Sequence, residues 1–388
     1  MGKDGMKMIN VKVGSSQLTN AFDAGKEAAA AMGGAKFAFV FSSVNYDQGE
    51  LIKGVKSAAP GVGVAGNTSF TGVVTPEGFV GGDHFVGVMS IGGDVAVGVA
   101  GSPKGECAVS VGKAVAQAAM ENAGKCCPPD YFYMVASPGE EESYLKGISE
   151  VIGRAPFFGG SAADNSISGE WSLFADDMVT GDGVAVAFFY TDGGFDNEYT
   201  GAYAESAKAG VITKVIGKRC LAEIDGVPAV RKYAEWSGKS VDALGGANLL
   251  VETICNPLGV KDRLGDLVAI RHPMFGNDDL SMNIGSDLAE NTAVIYMEGS
   301  VDQLIKSNGQ ALASLKAKLP GAKGYFLVHC GGRRAGIGDR MDEAVEEIRK
   351  AAGDIPFLCE FTFGEYGFEK DGNNTCGGLM LSFTAFGD

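Results

Sequence analysis

Histidine is scarce in this 388-residue chain: His84, His272 and His329 are the whole supply. A Cys–His enzyme therefore has few possible bases. The eight cysteines, Cys107, Cys126, Cys127, Cys220, Cys255, Cys330, Cys359 and Cys376, form no CxxC pair. Their scatter argues against structural zinc and for small buried thiols in a reducing compartment. No apolar run approaches the roughly 18 residues that a membrane span requires. The opening MGKDGMKMINVKVG lacks the apolar core of a secretory signal, and Met6 stands where a myristoylation site carries Ser or Thr. A cytoplasmic location without membrane insertion is expected. There is also no Lys/Arg stripe interleaved with aromatics, and 48 Asp and Glu outweigh 32 Lys and Arg to give a net charge of −16. Such a surface repels phosphate backbones, so nucleic acid is not an expected partner.

Glycine, by contrast, is abundant. Its 59 copies, about twice ordinary usage, follow no collagen period, and with 45% hydrophobic residues they punctuate a globular chain of many strands and tight turns. One order of events recurs three times. It runs from VKVGSS through SQLTNAFDAGKEAAAAM, FAFVFSS, DQGELIKGVKSAA and VGVAGNTS to HFVGVMSIGG. It returns from VAVGVAGSP to SLFADDMVTGDGVAVAFFY, and again from TAVIYMEGS to TCGGLMLSFTAF. Apolar residues at i, i+3 and i+4 predict the helices, and short β-branched or aromatic runs bounded by glycine predict the strands. The fold class expected is α/β: two related domains of mixed sheets with covering helices, built from helix-strand-helix-strand-hairpin units. A segment of other character, about 206–291, separates the second and third copies and sets the expected domains at 1–205 and 206–388.

In each copy the strands end in small or polar residues. These are Ser42-Ser43 and Asn67-Thr68-Ser69, then Gly160-Ser161 with Asp164 and Asn165 in GGSAADNSISG, then Cys330-Gly331-Gly332 and Glu360 to Glu365. Sheets of this class place ligands beyond their carboxyl ends. Ser43, Asn67, Thr68, Gly160, Ser161, Asp164, Asn165, Cys330, Arg333 and Glu365 are therefore the candidate ligand-binding residues, with Arg271 at the end of DLVAIR added for its charge. Arg333 and Arg334 sit in an expected glycine-flanked loop where a guanidinium could grip a carboxylate bidentately. Cys330 could act as a nucleophile, but His329 beside it should point to the opposite face of the strand. GVGVAG at 61–66 has dinucleotide spacing but lies inside a strand, SGKS at 237–240 reads as a helix end, and Asp176-Asp177 and Asp278-Asp279 read as turns.

The order SSVNYD, GNTSFTG, GGSAADN resembles the N-terminal half of the FIST family. VITKVIGKRCLAEIDGVPAV, NPLGV, AIRHPMF, YFLVHCGGR, EFTFGEYG and NNTCGGLML resemble its C-terminal companion. The resemblance carries the family's cysteine and arginine onto Cys330 and Arg333, its glutamate onto Glu365, and its asparagine-threonine pair onto Asn374 and Thr375. Glu360 and Phe363 depart from the glycine and tyrosine common there. It implies a bacterial sensory protein of signal transduction that binds an amino acid or similar carboxylate metabolite and acts through a partner such as a sensor kinase or cyclase. It also implies an alternative, a non-covalent haem that responds to nitric oxide. The axial ligand would come from His84, His272, His329 or the Cys127-Pro128 pair. An enzyme dependent on Cys330 is the remaining reading.

Overall fold

A computed structural model describes residues 9–261, 267–368 and 374–388. The reading of Met6 lies outside these residues. Three six-stranded mixed sheets and one eight-stranded sheet account for the strands. The first sheet runs Asn10–Ser16, Val86–Gly92, Phe37–Ser42, Gly63–Thr68, Leu173–Ala175, Met178–Thr180. The second runs Asn374–Gly377, Glu365–Phe368, Phe157–Ser161, Tyr131–Ala136, Gly183–Tyr190, Ala96–Pro103. The third runs Phe195–Thr200, Leu381–Gly387, Ala322–Cys330, Phe357–Thr362, Gly72–Thr75, Gly78–Gly81. Each of these three six-stranded sheets has one parallel pair at its centre, Phe37–Ser42 with Gly63–Thr68 and its two counterparts, and is antiparallel elsewhere.

The sheets are interlocked. The hairpin 72–81 of the first unit closes the third sheet, 173–180 of the second unit closes the first sheet, and the paired strands Glu365–Phe368 and Asn374–Gly377 of the third unit close the second sheet. No unit completes its own sheet, so all three must fold against one another. The inner faces share one aromatic core. Phe39 stacks on Phe326 with ring centres 4.7 Å apart, and Tyr133 meets Phe39 edge-on at 5.1 Å. Phe158, Phe189 and Phe386 join the same buried cluster. Aromatic pairs in these geometries add ~1 kcal/mol each to their area burial.

Outside, each sheet is covered by a helix pair: Ala21–Ala28 with Gln48–Ala58, Ala108–Asn122 with Glu141–Ile152, and Val301–Lys318 with Met341–Ala352. The first two pairs touch through glycine. A Cβ at Gly54 would stand 2.0 Å from the Phe22 carbonyl oxygen and one at Gly25 would stand 2.2 Å from that of Leu51, while Gly112 and Gly147 meet Tyr144 and Val109 likewise. The glycine excess thus has a packing cause as well as a turn cause.

The expected start of the third copy is corrected. TAVIYMEGS forms Ala293–Glu298, which lies in the eight-stranded sheet between Leu258–Lys261 and Ala204–Ile216. The strand matching Asn10–Ser16 is Phe195–Thr200, whose polar sequence FDNEYT suits a half-buried edge and carries little apolar signal. The divergent segment is an insertion between that strand and the helix Val301–Lys318. It has its own core around Tyr233, Trp236 and Tyr296. GVGVAG ends in the strand Gly63–Thr68, and SGKS begins where Gly238, at φ 74°, ends the helix Ala229–Ser237.

Candidate functional site

The strand-end loops of all three units and the insertion meet around one cavity of about 520 Å³. Phe70 comes from the loop after Thr68, Ile167 and Trp171 from the loop after Ser161, and Phe363 from the turn after Thr362. The insertion supplies Leu250, Ile254, His272, Met274 and Ile284. Phe363 joins the walls of the three units, with its ring centre 5.7 Å from Phe70 and 6.1 Å from Trp171. The lining is predominantly apolar, with a thiol, an imidazole and Arg219 interspersed, the composition of a small-molecule pocket.

Of the residues named from sequence, Cys330 lines this cavity. Its sulfur accepts N–H bonds from Gly332 and Leu379 at 3.3 and 3.2 Å, and burial pushes its thiol far above the usual range. Ser43 donates to the Asp83 carbonyl at 2.6 Å. Thr68 exchanges bonds with the Ser172 backbone. The Asn67 amide donates to Glu360 at 2.8 Å and its oxygen accepts from Tyr133 at 3.0 Å, in the closed interior. Gly160 pairs with Glu365 across the second sheet, and a Cβ there would meet Thr362 at 2.6 Å. Ser161 bonds Glu141 and the Tyr366 hydroxyl, at 3.0 and 2.8 Å.

Asp164 folds its own loop. Its carboxylate accepts N–H bonds from Ser166, Ser168, Gly169 and Glu170. Burial opposes the charge, yet these four bonds prevail and lower its pKa. Asn165 accepts from the Thr71 N–H at 2.9 Å and ties that loop to Phe70. Both residues shape the wall rather than line it.

Arg333 is no loop cation. The GGRRAGI stretch forms the helix Gly331–Ile337, and Arg333 is fully buried on it. It donates to the Leu304 carbonyl at 3.0 Å and to Ser307 at 2.6 Å, leaving Nε and Nη1 without a protein partner. The glycines that suggested a loop instead permit close packing: a Cβ at Gly336 would stand 2.7 Å from Ile254. Glu365 is also buried, accepting from Thr362 and from the Met380 N–H, and burial raises its pKa to about 8. Arg271 lines a second cavity of about 420 Å³ with Arg154, Asn374 and Thr375, and donates to the Cys376 carbonyl at 3.4 Å.

The sequence reading named the last strand residues, whereas the cavity is lined by residues one to several positions further on. Phe70 and Phe363 were within reach, as lone aromatics directly after small-polar strand ends. Arg219, in the middle of GKRCL, carries no local signal. It joins the second unit to the insertion, donating to Glu141 at 2.6 Å, Glu142 at 2.5 Å and Asp287 at 2.9 Å. Burial works against its charge, but the carboxylates prevail and keep it protonated.

The axial ligands that the sequence offers to a haem are spread over the molecule. His272 lines the cavity with its Nε2 on the Leu250 carbonyl at 2.9 Å, and burial, lowering its pKa to about 4, keeps it in the neutral form that a metal ligand takes. His329 is buried, its Nδ1 on the Cys330 carbonyl and its ring edge-on to Phe361. His84 packs beside Tyr46 and does not line this cavity, and Cys127 is exposed next to Tyr190. A thiolate ligand at Cys330 would have to overcome its raised pKa. Among the described residues no group of three or more His, Cys, Asp or Glu could hold a metal ion.

Comparison with known proteins gives the family. The FIST N domain model matches residues 36–227 and the FIST C domain model matches 229–367. The chain therefore belongs to the FIST family. No curated protein matches. Among solved structures, the cyanuric acid hydrolase from A. caulinodans is similar at 11% identity over 98% of this chain and 100% of that one, with a TM-score of 0.35. The PurLQS structure from Thermotoga maritima is similar at 8% identity over 98% of this chain and 72% of that one, with a TM-score of 0.24.

Proposed function

We propose that this FIST protein is a cytoplasmic sensory protein of signal transduction whose small ligand sits in the cavity between the strand-end loops and the insertion. One observation carries the reading: loops from all three units and the insertion converge on a single mainly apolar space of about 520 Å³. The ligand is a metabolite with an apolar body. Within the amino-acid and carboxylate class that the sequence suggests, members with aromatic or branched side chains suit these walls. A carboxylate would have to compete for Arg219, whose donors are already shared among three acidic side chains.

Signalling follows from the position of the cavity. A ligand that touches both the insertion and the repeat units favours one arrangement of the parts 1–205 and 206–388, and a partner such as a kinase or cyclase in trans would read that bias. Among the described residues no helix is long and apolar enough to cross a membrane.

Thermal-shift screening over amino acids and organic acids tests the proposal. Phenylalanine, leucine or a like-sized apolar acid should raise the melting temperature, glycine and aspartate should not, and Trp171→Ala should abolish the response. A panel without any apolar hit, or a hit indifferent to Trp171→Ala, counts against this cavity.

A further inference from the structure

Cys330 stands on the cavity wall with its sulfur held by two backbone N–H groups. The Arg333 N–H also favours negative charge on that sulfur. Gly332 lies between the thiol and a second reactive group. A Cβ built there would stand 3.5 Å from both the Cys330 sulfur and the His272 Cε1. Thiol and imidazole thus flank one point, which the Leu379 side chain also approaches to 2.8 Å. His272 is neutral and donates Nε2–H to Leu250, so its other ring nitrogen is an acceptor.

The Glu365 carboxyl lies within hydrogen-bond reach of the thiol and is fixed by Thr362 and Met380. Arg333, Glu360, Tyr199, Tyr203 and Cys330 are the ionisable groups that face it. The buried guanidinium, two of its nitrogens without a protein partner, puts positive charge beside sulfur and carboxyl. A nucleophile, donors that steady its developing charge, a proton acceptor and a fixed cation therefore stand together at the edge of an apolar space.

We propose that Cys330 captures an apolar aldehyde in this cavity as a reversible hemithioacetal, an inference that rests on the ligand-binding reading above. Sulfur forms a bond to the carbonyl carbon while the S–H bond breaks and its proton passes to the Glu365 carboxylate. The C=O π pair moves onto oxygen, which takes the proton back from Glu365. No group leaves and no oxidant or second reactant is consumed. The neutral carbonyl suits walls whose cation is already engaged by carboxylates, and His272 offers an acceptor to the new hydroxyl.

The test uses the intact protein with hexanal carrying ¹³C at the carbonyl, and hexan-1-ol as its unreactive match. Both should stabilise the protein, hexanal should bind at least about tenfold more tightly, and the bound carbonyl signal should be replaced by that of an sp³ carbon. Cys330→Ala, and Cys330→Ser should the alanine variant fold poorly, should remove that signal and bring hexanal down to the alcohol's affinity. The exposed Cys107, Cys126 and Cys127 remain in every variant as internal controls. Because Glu365 must be ionised, adduct formation should quicken about tenfold per pH unit below pH 8 and level off above it. Equal binding of alcohol and aldehyde with no sp³ signal overturns covalent capture and leaves the cavity as a reversible binding site. Stabilisation by neither compound overturns capture and ligand reading together.

Discussion

The buried carboxyl of Glu360 gives stability a pH dependence opposite to that of an ordinary surface carboxylate. Glu360 is fully buried where the three units meet, with one oxygen accepting from Asn67 and the other without a partner. Burial, together with the nearby Glu365, raises its pKa from 4.5 to about 8, against the lowering effect of the Asn67 bond. A carboxyl whose folded pKa lies above its unfolded one binds its proton more tightly in the folded state. Its contribution is complete below about pH 4.5 and is lost as pH rises towards about 8. Each pH unit in that window removes up to ~1.4 kcal/mol, so that from 4.5 to about 8 the loss approaches ~5 kcal/mol at most. Glu360→Gln has no proton to lose, and its side-chain oxygen can still accept from Asn67. Urea unfolding at several pH values between 5 and 8.5 should show the wild-type midpoint falling steadily, and the glutamine variant falling less and overtaking it at the alkaline end. Glu365, also raised to about 8, keeps a residual slope in the variant. Parallel midpoints for the two proteins across that range would refute the argument that Glu360 is held protonated.

Three further outcomes follow from the same geometry. Arg219→Ala leaves the buried Glu141 without its cation and should cost about 3 kcal/mol in urea unfolding. The cost should shrink towards acid pH, where the orphaned carboxyl takes a proton, and a loss independent of pH would contradict the ion-pair account. Asp164→Ala removes an acceptor of four backbone N–H bonds and should destabilise by ~2 kcal/mol. It should also weaken any ligand that raises the melting temperature, because Ile167 and Trp171 lie on the segment it holds, and unchanged ligand affinity would sink that link. Gly54→Val drives a side chain into the Phe22 carbonyl and should cost at least ~2 kcal/mol by thermal unfolding, whereas the same change at Gly33, with no atom near its Cβ, should cost far less.

The repeat was legible because its helices and central strands carry strong, regular apolar periods, and FAFVFS, YFYMVA and YFLVHC are buried throughout. What the period could not convey is which sheet each hairpin joins. A strand sequence records that one face is buried, not the partner that buries it, so the exchange of 72–81, 173–180 and the paired strands Glu365–Phe368 and Asn374–Gly377 left no trace in the pattern. The same limit shaped the site reading. Asn67, Ser161 and Glu365 looked like rim residues because they are polar and near strand ends, yet each is satisfied inside the protein by a partner more than one hundred residues away or by its own turn. Polarity at a strand end signals a hydrogen bond to be made, and tertiary structure alone decides whether a ligand makes it. Phe70 was hidden by the opposite prejudice, since a single aromatic passes for core, whereas Phe363 stood out as a departure from the family's tyrosine.

The hairpin exchange constrains how ligand occupancy could be felt by the rest of the molecule, and it can be tested by dividing the chain. A cut at 205/206 separates strands that pair directly: Phe195–Thr200 from Leu381–Gly387, Val73 and Val74 from Glu360 and Cys359, and Gly159 and Gly160 from Tyr366 and Glu365. It also takes Phe326 and Phe386 away from Phe39, Tyr131 and Phe158. The fragment 1–205 would expose the aromatic face of two sheets to water, at a cost of ~2 kcal/mol for each large side chain uncovered. Its hairpin 72–81 would have no sheet to close. Neither fragment should therefore unfold cooperatively by itself, and both should regain a sharp transition, monitored by near-ultraviolet circular dichroism, when mixed in equal amounts. Cooperative unfolding of 1–205 alone would show that the two parts are held together by less than their shared sheets imply. In that case a ligand at their junction could move one part against the other as a hinge. If the fragments fold only together, the core is common property and cannot slide, and the signal must travel instead through the insertion, clamped by Arg219 to Glu141 and Glu142 above that core.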